Sequence, residues 1–245
     1  MTRAAVASLA IGLAVFVGSV GASAREGTDP PTIFAAASLT EVLPRIEPAG
    51  RFSFAGSNQL AQQIRFGAPF DVFLSASPVY TQDLFREGLV RKPVAFATNS
   101  LVLIVPRSNP QRIRIVYDLA KRPRLRLVVA GPKVPIGLYT REVLKRLGLL
   151  KVLKKTVSLE PDVKGIVGKV ALGEADAGFV YRTDVRPVAG KVKAIALPPK
   201  SQPSVTYEAA IASKPESLES AQGFLIALLS GDGRRELRAA GFGLP

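Results

Sequence analysis

Short apolar runs that end in Gly-, Ser- or Pro-rich turns and lead into helical patterns recur along this chain, and that alternation constrains its fold most. Thr32 to Ala36 is the first such run; it ends at Ala37-Ser38-Leu39-Thr40-Glu41, and Val42, Leu43 and Ile46 follow. Ser38 and Thr40 stand where a helix's first turn starts, and Glu41 suits the positive end of its dipole. Arg51 to Ala55, the turn Gly56-Ser57-Asn58 and a helix from Gln59 to Phe66 form a second unit. Asp71 to Ser75, Pro78 and a helix from Val79 to Glu87 form a third.

The second half repeats the pattern. Asn99 to Pro106 is a near-continuous apolar strand, and Leu125 to Ala130 is a strand that runs through the turn Gly131 to Gly137 into a helix from Leu138 to Leu147. Val163 to Leu172 is a helix, Ala177 to Tyr181 the strand after it, and Val205 to Ala212 a strand before one final amphipathic helix from Leu218 to about Ala239. Alternation of this kind gives an α/β protein with mostly parallel sheet covered on both faces. Such sheets bind ligands at the turns beyond their strand C-termini. The pattern fits two lobes facing across a cleft and one doubly wound domain equally well.

At the N-terminus, Arg3 precedes an apolar run from Ala4 to Val20 and then Gly21-Ala22-Ser23-Ala24. This is the layout of a cleaved secretory signal peptide over residues 1–24. The run is long enough to be weighed as a membrane anchor, but its Ala, Gly and Ser content and the cleavage-like tripeptide favour removal. No cysteine follows it to carry a lipid, so a protein free in the periplasm is expected. Residues 25–245 suffice for one large domain or two lobes of roughly 100 residues each.

The chain has no cysteine and no histidine. That removes disulfides, thiolate metal sites, the commonest general base and the commonest transition-metal ligand. A nucleophilic Ser38 or Ser57 would need a lysine or carboxylate as its base, and Gly56-Ser57-Asn58-Gln59 lacks the second glycine of a nucleophile elbow. No enzyme is expected. The formal charge is +14, to which residues 1–24 contribute only Arg3. So basic a chain either meets a polyanion or carries a field that attracts anions. The densest stretch, through Arg141, Lys145, Arg146, Lys151, Lys154 and Lys155, reads as a solvated helical face at least as well as a nucleic-acid surface, and export argues against nucleic acid further.

Three places share one physical theme: Ser38 before a helix, Ser57 before a helix, and the Pro135-Ile136-Gly137 turn before a helix. A helix N-terminus offers N–H groups with no internal partner and a positive dipole end, which suit an anion. Taken singly, each serine reads as a cap for its own helix.

Four segments, Phe34 to Thr40, Gly67 to Ala76, Thr98 to Pro106 and Gly173 to Tyr181, resemble in order the periplasmic molybdate-binding proteins of ABC importers. The resemblance implies a type II periplasmic binding fold with two hinged lobes. Lobe one would span residues 25–96 plus 205–245 and lobe two 97–204, with crossovers near Ala97 to Val105 and Val205 to Ala212. It implies a tetrahedral oxyanion, molybdate or tungstate, as ligand, an inner-membrane ABC permease as partner, no cofactor and a monomer. Hydroxyl and backbone donors at Ser38 and Ser57, backbone N–H groups at Ile136 and Val163, and the Tyr181 hydroxyl would form the site, with no directly coordinated metal. Another anion such as sulfate or phosphate is the alternative, and polyanion binding at the surface a further one.

The five are all neutral donors, so the dianion would be held by dipoles and hydrogen bonds alone. A donor-only site disfavours protonated phosphate, whose O–H would lack an acceptor. The chain departs from the family pattern at several points. The stretch from Thr40 to Phe54 is short and carries Pro44 and Pro48, so a truncated or broken first helix is expected. Ser75-Ala76-Ser77 replaces the usual Ser-Ala-Asp, and Ile136 stands where a small alanine is usual. Asp162 reads as an N-cap, and Lys164 and Arg182 flank two of the proposed contacts.

Overall fold

The computed structural model describes Met1 and residues 29–245. The signal-peptide expectation therefore lies, Met1 apart, outside the described residues. In chain order the elements are β1 (Thr32–Ala36), α1 (Leu43–Ile46), β2 (Arg51–Ala55), α2 (Ser57–Arg65), β3 (Val72–Ser75), α3 (Pro78–Arg86), β4 (Val94–Asn99), β5 (Leu101–Pro106), α4 (Asp118–Lys121), β6 (Leu127–Ala130), α5 (Pro135–Arg146), β7 (Thr156–Glu160), α6 (Val163–Ala171), β8 (Ala177–Tyr181), β9 (Val192–Ala196), β10 (Val205–Ile211), α7 (Leu218–Leu229) and α8 (Gly231–Ala239). Short 3-10 turns at Ala37–Leu39, Leu150–Lys155, Arg182–Val188 and Pro199–Ser201 complete the set.

The strands make two five-stranded sheets, ordered β2-β1-β3-β10-β4 and β7-β6-β8-β5-β9. Each sheet is mixed. In the first, β1 runs parallel to β2 and β3 while β10 runs antiparallel to β3 and β4. In the second, β6 runs parallel to β7 and β8 while β5 runs antiparallel to β8 and β9. The alternation implies mostly parallel sheets; the antiparallel pairings come from β5 and β10, the strands by which the chain enters each sheet from the other. It leaves the first sheet at Asn99 and joins the second at Leu101, and it returns between Ala196 and Val205.

Each lobe is held by amphipathic helices on its sheet. Leu60, Ala61 and Ile64 form the buried face of α2, and Val163, Ile166, Val167 and Val170 that of α6, a spacing that puts one stripe against the strands. Fully burying such an aliphatic side chain is worth about 1.5–3 kcal/mol. The first helix is reduced, as expected, to the turn Ala37–Leu39 and the four residues of α1, with Pro44 in its first turn. The single final helix expected from Leu218 to Ala239 is two helices. Ser230 has an extended backbone and its Oγ accepts from Gly233 N–H at 3.2 Å, so it ends α7 and caps α8.

The basic stretch is bound into the structure. Lys155 Nζ donates to the carbonyls of Leu119, Ala120 and Arg122 at the C-terminal end of α4. Arg141 donates to Gly137 O, and Arg146 pairs with Glu142 one turn away.

Candidate functional site

The five residues expected at the site, Ser38, Ser57, Ile136, Val163 and Tyr181, line one cavity of about 20 Å³ between the two sheets. By this measure one water needs about 10–15 Å³, so the room is for a small guest and is far below what organic ligands usually occupy. Ala36, Ala37, Ala55, Gly56, Ala76, Val134, Pro135 and Asp162 complete the lining. Small residues dominate on the first-sheet side, so its backbone can approach a guest closely.

Neither serine caps its helix. Ser38 lies within the Ala37–Leu39 turn, and its Oγ is 2.9 Å from the Tyr207 hydroxyl. Ser57 is the first residue of α2, and its Oγ accepts from Ala76 N–H at 3.1 Å. With that lone pair engaged by an obligate donor, the Ser57 proton is left to point elsewhere. Pro135-Ile136-Gly137, read from the sequence as a turn before the helix, is the first turn of α5 itself. Pro135 pre-sets the helical φ at that position and has no N–H to leave unpaired. Gly137 is needed because a Cβ there would lie 2.1 Å from Gly131 O. Val163 opens α6 with Asp162 as N-cap, whose Oδ1 accepts from Gly165 N–H at 3.1 Å. The leading N–H groups of α2, α5 and α6 thus all belong to segments on this cavity.

Tyr181 sits at the end of β8 and is 2 % exposed. Its hydroxyl is fully buried with no hydrogen-bond partner among the described residues. Leaving such a group unpaired costs about 1–3 kcal/mol, a cost that a guest accepting its proton would relieve. Burial pushes the phenol pKa well up, with Tyr207, Tyr139 and Asp184 adding to the shift, so it stays a donor at neutral pH. Its ring packs edge-on against Tyr139 and Tyr207.

The charges stand behind this layer of donors. Asp162 is the one carboxylate on the lining, and its Oδ1 is committed to α6. Lys164 Nζ lies 3.6 Å from both Glu41, on the first-sheet side, and Asp184, after β8. Arg182 turns away, its Nε donating to Ser100 Oγ. Burial lifts the Asp184 carboxyl from the ordinary value to about 6, against the opposing pull of Lys164. A carboxyl with a raised folded-state pKa favours folding at low pH, and that contribution fades as pH rises through about 6. At neutral pH the shift costs about 3 kcal/mol. Asp184→Asn is therefore expected to melt higher than the wild type at about pH 7.5 and to lose that advantage progressively as pH falls through about 6 to below about 4, read by thermal denaturation across the range.

Several contacts join the two sides. Tyr139 donates to Ala76 O at 3.3 Å, and Tyr80 to Lys133 O. A Cβ on Gly56 would meet Pro161 O at 2.5 Å, so the backbones touch there. Tyr139 and Tyr207, which border the site, carry no recognisable signal in the sequence beyond their places in a helical and a strand pattern.

Residues 32–243 match the family described as bacterial extracellular solute-binding protein. The chain belongs to that family. Among curated members of similar sequence, the molybdate-binding protein ModA of Mycobacterium tuberculosis is 35% identical over 230 residues, covering 90% of this chain and 87% of that one. The ModA of Haemophilus influenzae is 34% identical over 230 residues, covering 86% and 89%. The periplasmic molybdate-binding protein of Azotobacter vinelandii has the same fold, with a TM-score of 0.79 at 23% identity over 88% of this chain and 99% of that one. Members of the family are solute-binding proteins.

Proposed function

We propose that this chain binds molybdate, and tungstate by the same chemistry, in the cavity between its sheets and delivers it from the periplasm to an ABC permease. The observation that carries this reading is the buried Tyr181 hydroxyl, without a partner among the described residues, on a cavity that Ser38, Ser57 and the starts of α5 and α6 also line. Ser38 and Ser57 would donate from lobe one. Ile136 N–H, Val163 N–H and Tyr181 would donate from lobe two. Hydrogen bonds to an ionised partner contribute about 1.5–3 kcal/mol each, so several of them outweigh association costs of several kcal/mol. Lobe two is the part built on the second sheet, and the crossovers at Ser100 and between Ala196 and Val205 are the hinges. Ligand contacts from both lobes would then favour the closed form.

The test is a thermal-shift series. Molybdate or tungstate at about a hundred times Kd should add ~2.7 kcal/mol to stability and raise Tm by about 5–10 °C. Sulfate should shift it less and phosphate not at all. A phosphate shift equal to that of molybdate would mean that Asp162 accepts a phosphate proton, and the reading would have to change. Persistence of the molybdate shift at high salt separates capture in a cleft from adhesion to the basic surface.

A further inference from the structure

Tyr207 lies on β10, fully buried, with its ring edge-on to Phe96, Tyr181 and Phe242 at centroid distances of 6.0, 5.9 and 5.4 Å. Its hydroxyl stands between two side chains: Ser38 Oγ at 2.9 Å and Asn99 Nδ2 at 3.4 Å. The direction of each bond follows from one backbone group. Ser100 N–H can only donate, and it lies 2.9 Å from the Asn99 side-chain amide, so the end facing it is Oδ1. The end facing Tyr207 is then Nδ2, which only donates, and it also donates to Thr183 Oγ1 at 2.9 Å. The Tyr207 oxygen must accept from Asn99. Burial pushes its pKa well up, so it keeps its proton, and Ser38 Oγ is the acceptor within reach.

We infer that Tyr207 is a positioning residue that fixes the direction of the Ser38 hydroxyl: it donates to Ser38 Oγ, so that the Ser38 proton is the one presented to the bound oxyanion. The opposite arrangement, with Ser38 donating to Tyr207, would turn an oxygen lone pair toward a dianion. Ser57 obtains the same bias from the backbone N–H of Ala76, which an ordinary side-chain substitution leaves in place. Ser38 obtains it from a side chain, and the wire behind that side chain begins at Ser100, in the segment where the chain passes from one sheet to the other. The state of the hinge and the donor character of Ser38 are therefore joined through Asn99 and Tyr207. Hydrogen bonds in such a chain polarise one another, which strengthens the last of them.

This inference rests on the reading of the cavity as an oxyanion site, and a double-mutant cycle tests it separately. Molybdate affinity is measured by calorimetry for the wild type, Tyr207→Phe, Ser38→Ala and the double variant. Tyr207→Phe keeps the ring packing and should weaken binding about five- to twentyfold. In the Ser38→Ala background the same change should matter less than about twofold, because the hydroxyl it directs is gone. Equal losses in both backgrounds would reduce Tyr207 to a packing residue, and no loss from Tyr207→Phe alone would also overturn the inference. Should Tyr207→Phe not fold, Asn99→Ala run through the same cycle must show a loss confined to proteins that retain Ser38. Absence of molybdate heat in the wild type would instead sink the underlying reading of the site.

Discussion

Tyr181→Phe is expected to weaken molybdate binding about 10- to 100-fold while leaving the Tm of the ligand-free protein unchanged or slightly raised. The two halves of that statement have one cause. In the arrangement seen here the Tyr181 hydroxyl is buried without a partner among the described residues, and with the lobes apart it would meet water, so removing it takes no hydrogen bond within the protein away in either case. The ring, which packs against Tyr139 and Tyr207, is kept. In the complex the same hydroxyl would make a charge-assisted hydrogen bond worth about 1.5–3 kcal/mol, and all of it is lost. Ser57→Ala is the contrast. It removes a donor and also strands Ala76 N–H, so both affinity and ligand-free Tm should fall. Calorimetry with molybdate and melting curves without it separate the two patterns. A Tyr181→Phe protein that binds as tightly as the wild type would remove Tyr181 from the site.

Much of this arrangement is legible in the residues, and the parts that are not have identifiable reasons. β1, β2 and β8 fall at the bounds the apolar runs imply, because each is bordered by a turn-forming cluster that stops the pattern abruptly. β7 gives no such signal: Val157 and Leu159 face outward on an edge strand, so its alternation points its larger apolar residues at solvent. β9 is hidden because Lys193 interrupts a five-residue run. The split of α7 from α8 rests on the backbone of Ser230, whose neighbours are compatible with one long helix. At the site, it is the resemblance to the molybdate-binding family that brings Ser38, Ser57, Ile136, Val163 and Tyr181 together in the sequence, and the fold brings them onto one cavity. What sequence does not convey is hydrogen-bond direction. Ser38 and Ser57 read as caps; the contact from Ala76 N–H shows that the acceptor side of Ser57 is occupied, and the inferred bond from Tyr207 occupies that of Ser38. Nor does it reveal that Asp184, two residues beyond Arg182, is buried against Lys164.

Gly56→Ala is expected to lower molybdate affinity about a hundredfold with only a small change in ligand-free Tm. Gly56 has φ −62° and ψ 134°, a conformation open to any residue, so alanine strains nothing in its own backbone. Within its own lobe the nearest atoms to the added Cβ are the side-chain ends of Asn58 and Gln59, which can turn aside, Gln59 at the cost of the long hydrogen bond it accepts from Gly56 N–H. Across the cleft it meets Pro161 O at 2.5 Å, and a carbonyl held just before α6 cannot turn. The lobes must then stop short of the arrangement seen here by several tenths of an ångström or more. Ile136 N–H, Val163 N–H and the Tyr181 hydroxyl all reach the cavity from the far side, and hydrogen bonds lengthened together weaken together. A loss of about 2.7 kcal/mol, which is a hundredfold, asks for less than two such bonds out of the set. Small-angle scattering should find the variant more extended than the wild type when both are saturated with molybdate. If the variant instead binds with wild-type affinity and compactness, the approach of Gly56 to Pro161 is not what limits closure.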